Sequence, residues 1–450
     1  MNLRTGPWFG LSIPRRRLWT AAVPAFAVPG TAVFNPSDHG AAGDGSRIDT
    51  QALQASIDAC ARAGGGTVLV PAGRYLCGTL FLKSNVTLHL AAGAVLAGSN
   101  RLGDYPVTTP GIRSYTDNYC ERSLLYGENL ENVTIEGAGT IDGQGRRFSG
   151  PYKERPFLLR LAGCRRVNVR GIAFRDSAMW VQHYLACDNV AIDGISVNSR
   201  ANANNDGIDI DGCDRVRISD CDIRSGDDAI VLKSTLARPA KNIAISNCVV
   251  SSDCNAIKLG TESNGGFENI VINNCAVYDT RLSGLALECV DGGLLDRVQI
   301  SNITMDGVGA PIFMRLGDRA RPFEKNGPRP PAGRFRNVIL RDVQAVRASR
   351  VGCAICGIPG HSIEDVTLDN IRLEFEGAGR PLHAHGAVPE YPDKYPEHTM
   401  FGVLPAYGFY CRHVRRLQFR SVRVIASRPE ERPALLTDDV EGMEMSGTNF

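Results

Sequence analysis

The chain has 450 residues, of which 43% are hydrophobic and 22% are charged, and its formal net charge is +2. These values are typical of a soluble protein with a large core, folded as one elongated domain or as roughly two or three compact ones. A charge this close to zero gives no reason to expect nucleic acid or an anionic membrane as a partner. No apolar run in the sequence is long enough to cross a membrane.

The first 33 residues differ from the rest of the chain. Three arginines at positions 15–17 precede the apolar and small-residue stretch LWTAAVPAFAVPGTA. This order is typical of a twin-arginine export signal with a cleavage site near Ala32, and it predicts a secreted or periplasmic protein. Two prolines interrupt the apolar stretch, so a disordered N-terminal tail is the alternative. We therefore divide the chain into a signal or tail at 1–33 and one folded domain at 34–450.

A short helix is predicted near the start of this domain. Apolar residues recur at helical spacing over 49–63, with Asp49 or Thr50 as the N-cap, and three glycines at 64–66 end the pattern. We expect this helix to cover an otherwise open sheet edge at one end of the fold.

From Thr67 onward the sequence is an internal repeat of short strands that alternate apolar and polar residues. Clear strands begin at Asn132, Arg166, Asn189, Arg215, Asn242, Asn269, Arg297, Asn337 and Asp365. From the second of these, the start-to-start steps are 23, 26, 27, 27, 28, 40 and 28 residues. Neither hairpin turns nor crossover helices separate the strands. The pattern predicts an all-β fold, a single-stranded right-handed parallel β-helix of about ten coils.

Longer steps mark two insertions, at 318–334 and 377–406, which are too long to be simple connections. Loops of this length commonly shape a binding groove, so we expect them to wall one end of it.

Most of the fourteen cysteines follow the repeat rather than a disulfide pattern. Two in-phase series are expected to stack as buried thiols: Cys164, Cys187 and Cys213, and Cys221, Cys248 and Cys275. A disulfide between Cys60 and Cys77 remains open. Cys353-x-x-Cys356 has no second pair of ligands at zinc spacing, so no metal site is expected there.

Carboxylates gather where neighbouring coils align. Four successive coils share an apolar position: Ile208, Ile230, Ile257 and Leu285. Two residues earlier the same coils carry Asp206, Asp228, Asn255 and Ser283. Asp206 and Asp228 are 22 residues apart, which is one coil, and neighbouring coils lie about 4.8 Å apart. Together with Asp227 they form three carboxylates close enough to raise at least one pKa.

One protonated acid beside an ionised carboxylate is what hydrolysis of a glycosidic bond requires. The alternative is that these residues only cap turns of the solenoid, as Asp and Asn commonly do.

The two segments that carry these acids, NNDGID at 204–209 and SGDDAI at 225–230, resemble motifs of glycoside hydrolase family 28, the polygalacturonases. The opening FNPSDHGAAGDG and the coils at 155–197 also resemble that family, and the similarity extends over residues 34–440. The resemblance implies a catalytic domain that cleaves pectic polysaccharide or oligosaccharide with inversion. We expect it to be a monomer that uses no cofactor or metal. It implies Asp227 as the general acid, and Asp206 and Asp228 as the pair that activates water.

The chain departs from the family outside the acids. The histidine of the family's Gly-His-Gly motif would fall at Asn255, and the two cations of its Arg-Ile-Lys motif would fall at Ala286 and Glu288. A tyrosine expected one coil later falls at Ala310. The catalytic carboxylates are therefore kept, whereas the familiar substrate clamp is not.

Other side chains are candidates to replace this clamp. The candidate substrate-binding residues are Asn204, Asn255, Lys233, Lys258, Arg315 and Glu288. The three cations among them are expected to point outward, where an anionic sugar would be a partner. Alternatively, the two lysines are neutralised in surface ion pairs by Asp209, Asp211, Glu262 or Glu288. Trp180 either stacks on a sugar or packs at a coil edge.

Three other functions stay open. The chain could hydrolyse rhamnogalacturonan or another pectic side chain. It could be a pectate-type lyase, with calcium and with Lys233 or Lys258 as the base. It could also bind carbohydrate without catalysis, since two substrate motifs are absent.

Overall fold

Strands stack in parallel into three ladders, which we call A, B and C, and after the first coil, where a helix follows ladder B, the chain visits them in that order. The computed structural model describes residues 32–324, 326–380 and 388–450. Almost all of the predicted export signal lies outside the described residues, as does part of the second insertion. Ala32–Phe450 forms one compact unit. The predicted right-handed parallel β-helix is confirmed.

The strands of ladder A are Val33–Phe34, Gly66–Val70, Val86–Leu90, Glu131–Gly137, Arg165–Arg170, Asp188–Asp193, Asp214–Ser219, Ala240–Ser246 and Glu444–Ser446. Those of ladder B are Asp44–Ile48, Gly73–Cys77, Ala94–Gly98, Thr140–Asp142, Ala173–Arg175, Ser196–Ser199, Asp222–Ser225 and Val249–Ser252. Those of ladder C are Leu80–Phe81, Ser123–Glu128, Phe157–Ala162, Gln182–Leu185, Ile208–Asp211, Ile230–Ser234, Ile257–Ser263, Cys353–Cys356 and Leu435–Glu441. Longer strands turn the corners between ladders: Phe267–Cys289, Leu294–Leu316, Arg334–Ala348, Ile363–Phe375 and Phe409–Ala426. Ladder A extends beyond the coils with a clear sequence repeat at both ends.

A left-handed residue begins the regular part of ladder A on successive coils. These corner residues have φ between 54° and 58°: Asn132, Arg166, Asn189, Arg215, Asn242, Asn269, Arg297, Asn337, Asp365 and Arg416. Asparagine tolerates this conformation better than most residues, which explains its frequency at the corners. Side chains at successive corners also bond to each other, as where Asn269 Nδ2 donates to Asn242 Oδ1 at 2.7 Å.

The core fills the inside of the solenoid with the inward-facing residues of all three ladders. The predicted cysteine series are buried there, and Cys187 N–H donates to Cys213 Sγ at 3.2 Å. All fourteen cysteines are free, including Cys60 and Cys77. The thiols therefore behave as small apolar side chains, as predicted.

The helix α1, Thr50–Arg62, packs its apolar face against the first coil and buries Leu53 and Ile57 there. Asp49 occupies the N-cap position, but its carboxylate does not cap the helix. It accepts instead from the backbone N–H groups of Ala42 and Gly43 at 2.8 and 3.0 Å, so it ties down the preceding loop.

Short 3₁₀ helices lie in the loops between strands: Pro36–His39, Leu102–Asp104, Tyr115–Asn118, Gly145–Arg147, Tyr152–Glu154 and His398–Phe401. Loops at 99–122, 143–156, 317–333 and 388–408 bring side chains over the outer face of ladder C. None of the helices in the described ranges has the length and apolar character of a membrane span.

Candidate active site

The alignment of coils predicted from the sequence is the register of ladder C. Ile208 pairs with Ile230, Ile230 with Ile257, and Ile257 with Leu285. These residues are buried in the core, so the residues between them point away from it. The turn just before each strand therefore carries its polar side chains to one edge of the ladder.

Asp206, Asp227 and Asp228 come together at this edge, in the turns that precede two neighbouring strands. Gly207 N–H donates to the Asp228 carbonyl at 2.9 Å, which locks the two turns together. A Cβ atom at Gly207 would lie 2.5 Å from the Ala229 carbonyl oxygen, so the close approach of the turns requires glycine there.

Asn204 orients the side chain of Asp227. Its Nδ2 donates to Asp227 Oδ2 at 3.2 Å, and its own Oδ1 accepts from Arg155 at 3.1 Å. The backbone N–H of Asp228 donates to the other oxygen, Asp227 Oδ1, at 3.0 Å. Asn204, a predicted substrate-binding residue, is thus in direct contact with an acid of the cluster.

Asn255 holds Asp228 from the next coil. Its Nδ2 and its backbone N–H donate to Asp228 Oδ1 at 2.8 and 3.2 Å. The same amide lies 3.3 Å from an oxygen of Glu397, which belongs to the loop at 388–408. Asn255 therefore links the cluster to a carboxylate that the repeat pattern did not predict.

Lys258 lies inside a cage of three carboxylates. Its Nζ is 3.2 Å from Asp228 Oδ2, 3.6 Å from Glu288 Oε2 and 3.6 Å from Glu397 Oε1. The residue is 0% exposed. Glu288 also accepts from the hydroxyl of Thr261 at 3.0 Å.

Lys233 has a similar set of neighbours on the other side of the acids. Its Nζ lies 3.8 Å from Asp206, 3.7 Å from Asp209 and 3.6 Å from Glu262. It also lies over the ring of Trp180, 4.8 Å from its centroid. Glu262 pairs in turn with Arg321, which the loop at 317–333 supplies.

Ion pairs neutralise both lysines, and three of the four predicted partners are correct: Asp209, Glu262 and Glu288. Asp211 is not a partner, because it accepts instead from the backbone and hydroxyl of Thr235 at 2.8 and 2.5 Å. The prediction of surface pairs is wrong, since both lysines are buried. They do point away from the core, but the inserted loops cover this face of the ladder.

Arg315 is not brought to the acids. It is 1% exposed, and its guanidinium donates to the backbone carbonyls of Gly357, Glu390 and Tyr391 at 2.7–3.0 Å. Arg315 does point away from the core, as expected, but its donors hold the loop at 388–408 against ladder C, so it is not available to a substrate.

A cavity of about 260 Å³ opens beside the acids. Its lining residues are Tyr119, Tyr152, Met179, Trp180, Asn204, Asp206, Asp227, Asp228, Lys233, Glu262 and Tyr395. Of the predicted substrate-binding residues, Asn204 and Lys233 line it, whereas the other four do not. A larger depression of about 610 Å³ lies on the outer face of ladder A, where charged groups such as Arg416 and Asp365 pair with each other. We therefore place the chemistry at ladder C.

The sequence matches the model of the family described as glycosyl hydrolases family 28 over residues 60–385, more than half of the chain. The chain belongs to glycosyl hydrolases family 28. A probable polygalacturonase of Vitis vinifera is 37% identical over 213 residues, which are 44% of this chain and 43% of that protein. An exo-poly-alpha-D-galacturonosidase of Dickeya chrysanthemi is 38% identical over 143 residues, which are 30% of this chain and 23% of that protein. The chain thus spans less than half of the length of these two relatives.

Solved structures agree with the fold. A family 28 exopolygalacturonase of Yersinia enterocolitica superposes with a TM-score of 0.70 at 21% identity, over 92% of this chain and 78% of that one. A hyperthermoactive exopolygalacturonase from Thermotoga maritima gives 0.64 at 24% identity, over 76% of this chain and 87% of that one. At these identities the similarity shows the shared β-helix.

The acids of this family 28 chain have contrasting environments. Burial, followed by the negative charge of Asp228, raises the pKa of Asp227 above its usual value. Burial also raises the pKa of Asp206 well above its usual value, and the neighbouring Asp209 and Asp227 add to this. Asp206 and Asp227 are therefore the members of the cluster that tend to keep a proton.

Asp228 is the member that stays ionised. Burial alone would raise its pKa, but the nearby ammonium groups of Lys258 and Lys233 outweigh burial and lower it. The hydrogen bond from the Asn255 side chain acts in the same direction. A proton-holding acid and an ionised carboxylate thus face one cavity, which is an arrangement suited to acid–base catalysis.

A divalent cation fits this edge poorly. Within the described residues, Asp227, Asp228 and Cys254 form a group whose possible ligand atoms lie within 4.8 Å of one another. Calcium prefers six or more oxygen ligands, and a thiol is not among them. Lys258 already neutralises Asp228 at 3.2 Å. The donor set therefore does not favour the calcium-dependent lyase considered above.

Several residues of the site were missed by the sequence reasoning. Glu397 and Tyr395 come from the loop at 388–408, Tyr119 from the loop at 99–122, and Tyr152 from the loop at 143–156. None of them belongs to the repeat. For Glu397 and Tyr395 the available signal was the length of the insertion at 377–406, which indicated a groove wall without indicating its residues. Tyr119 and Tyr152 lie outside both predicted insertions, so the repeat pattern gave no signal for them.

Proposed function

We propose that this chain is an inverting glycoside hydrolase that cleaves glycosidic bonds in pectic polysaccharide or its oligosaccharides. The observation that carries the proposal is the convergence of Asp206, Asp227 and Asp228 on one cavity, with the pKa of Asp227 raised and that of Asp228 lowered. The names of the polygalacturonase relatives support the substrate class.

In this mechanism Asp227 is the general acid. Asn204 and the N–H of Asp228 fix its two oxygens, and burial keeps its proton in place until it is transferred. The proton passes to the oxygen of the leaving sugar as the bond from that oxygen to the anomeric carbon breaks. Asp227 is thereby left ionised.

Asp228 is the general base. It takes a proton from a water molecule whose oxygen attacks the anomeric carbon from the opposite side, which inverts the configuration there. Asp206, on the neighbouring coil, completes the water-activating pair by holding the water in place. After product release, Asp228 gives its extra proton to solvent and Asp227 takes up a proton from solvent, which restores the starting state.

Lys233 is the cation best placed to meet a uronate carboxylate. It lines the cavity, and its carboxylate neighbours all lie at 3.6–3.8 Å. Among the described residues no shorter contact occupies its N–H donors. A substrate carboxylate could therefore accept from this ammonium without displacing an existing hydrogen bond.

The test is the Asp227→Asn variant on homogalacturonan, rhamnogalacturonan and their oligomers, read by reducing ends and product size. Loss of a general acid should lower the rate by about 10²–10⁴-fold with an unchanged unfolding temperature. Asp222→Asn, on an exposed position of ladder B, is the matched control and should keep full activity. Full activity of Asp227→Asn would contradict the proposal. NMR of the first-formed anomer tests inversion separately.

The same assays separate the competing functions. Unsaturated products that absorb in the ultraviolet, and that disappear with a chelator, would identify a lyase. Binding of a glycan without turnover over long incubation would identify a non-catalytic binding protein.

We also propose that residues 1–33 direct export of the protein. The support is the arginine triplet ahead of a short apolar stretch. Arg16→Lys together with Arg17→Lys should retain the protein in the cytoplasm, as measured by cell fractionation, whereas the wild type should be exported and shortened near Ala32. Cytoplasmic wild-type protein with an intact N-terminus would contradict this.

A further inference from the structure

Among the residues that the structure describes, four aromatic side chains line the cavity, and two of these four are well exposed. Trp180 is 4% exposed and packs against Phe157, with ring centroids 5.4 Å apart. Tyr119 is half-buried and packs against Trp180 at 5.8 Å. Tyr152 and Tyr395 are 46% and 53% exposed. The open aromatic surface of the cavity therefore comes from these two rings.

Tyr395 is fixed in place although it is exposed. Lys258 and Arg319 each lie 5.4 Å from its ring centroid. Both cations are largely buried and paired with carboxylates, which constrain their positions. A cation over an aromatic ring stabilises the ring's position by about 0.5–2 kcal/mol.

Tyr152 is fixed in a similar way from another loop. The guanidinium of Arg155 lies 4.9 Å from its ring centroid, and the ring of Tyr119 meets it edge-on at 6.0 Å. Arg155 also donates to Asn204, the residue that orients Asp227. The position of this ring is therefore tied to the position of the acid.

The strand Leu294–Leu316 gives no aromatic ring to the cavity at the position next to Ser283. Ala310, which pairs with Ser283 of the preceding coil, is buried and carries no ring. In this chain the inserted loop at 388–408 supplies Tyr395 to the cavity instead.

We propose that Tyr152 and Tyr395 form a sugar clamp, in which their exposed rings pack against the apolar C–H face of a pyranose ring next to the cleaved bond. Tyrosine offers a large and rigid contact area at low entropic cost, and exposed aromatic rings in a concave site commonly mark a ligand. The inference rests on the proposed function, because it assigns a sugar to the same cavity. In this clamp, contact between the ring faces and the sugar holds the substrate in addition to its charge interactions.

The kinetic test compares Tyr395→Ala, Tyr395→Leu, Tyr395→Phe and Tyr152→Ala on the preferred pectic oligosaccharide. The Ala and Leu variants should raise KM about tenfold and keep kcat within about twofold, because the lost contact acts equally on the substrate and the transition state. Tyr395→Phe keeps the ring and should stay near the wild-type KM. Tyr391→Ala is the matched control, since this tyrosine is 38% exposed in the same loop but does not line the cavity.

A binding test works without turnover. The same substitutions are introduced into the Asp227→Asn protein, and trigalacturonate is titrated by calorimetry. Dissociation constants that are about tenfold higher for the Ala and Leu variants, and unchanged for Tyr391→Ala, support the clamp. Unchanged constants in all variants would overturn it.

The two proposals fail in different ways. If the wild type hydrolyses pectic substrates normally while all tyrosine variants keep the wild-type KM and dissociation constant, only the clamp is wrong. The wild type could also bind the oligosaccharide without hydrolysing any of the glycans. If the tyrosine variants then bind the oligosaccharide more weakly than the wild type, only the hydrolase function is wrong. Absence of both turnover and binding overturns both.

Discussion

Replacement of Lys258 by methionine should move the pH dependence of activity by a predictable amount. Lys258 is completely buried, and its ammonium lies 3.2 Å from Asp228 and 3.6 Å from each of Glu288 and Glu397. Methionine keeps a similar volume and removes the charge. The variant thus leaves three carboxylates without their shared cation.

The magnitude follows from the shortest of these distances. Opposite unit charges 3.2 Å apart at an effective dielectric constant of about 20 attract each other by about 5 kcal/mol. Part of this loss is offset, because Glu397 takes up a proton and ceases to repel Asp228. Removal of a close opposite charge typically raises the pKa of a carboxyl group by about one to three units. We expect that rise at Asp228.

The assay is the pH profile of kcat/KM on the preferred pectic substrate. The acidic limb reports ionisation of the base, so it should move upward by about one to three pH units in Lys258→Met. Lys241→Met, on ladder A, is the control and should leave the profile unchanged. Unfolding curves at the same pH values separate loss of fold from loss of ionisation. An acidic limb at the wild-type position in folded Lys258→Met would refute the assignment of Asp228 as the ionised base.

Three further results are expected. Glu397→Gln removes a negative neighbour of Asp228, so the acidic limb should move to lower pH, opposite in sign to Lys258→Met; a shift upward would contradict the cage. Burial raises the pKa of Glu288 to about 8, far above its value in an unfolded chain, so the contribution of Glu288 to stability should be lost as the pH rises from about 4.5 to 8. Glu288→Gln should show a shallower slope than the wild type when the free energy of unfolding is measured across this range, because Asp206 and Asp227, whose pKa values are also raised, keep their own contributions. Finally, Cys60 and Cys77 are free thiols, so a reductant should leave the unfolding temperature unchanged; a drop would indicate a disulfide.

The repeat made the interior of the solenoid predictable. Period-two alternation placed Ile208, Ile230 and Ile257 in one column, and the structure pairs them in that register. The cysteine series were buried for the same reason, because every coil repeats the same inside and outside. Once the coils were aligned, the neighbouring positions of Asp206 and Asp228 followed directly.

The outer face was less predictable, because its surroundings depend on loops rather than on the repeat. Arg315 occupies a strand position that points away from the core, yet it is buried under the backbone of Glu390 and Tyr391. Lys258 is buried beside Glu397 for the same reason. An alternating pattern gives the direction of a side chain and carries no information about what a distant insertion places over it.

The left-handed corners have a consequence for how the strands find their partners. A solenoid of similar coils risks pairing out of step, and a slip by one residue would turn its core side chains outward. At nearly every corner the next residue is a β-branched valine or isoleucine, as in Asn189–Val190 and Asn242–Ile243. A slipped strand would force that branched residue to take a positive φ, which is strongly strained. The corner residues thus act as register marks that keep Asp206 and Asp228 on adjacent coils during assembly of the fold.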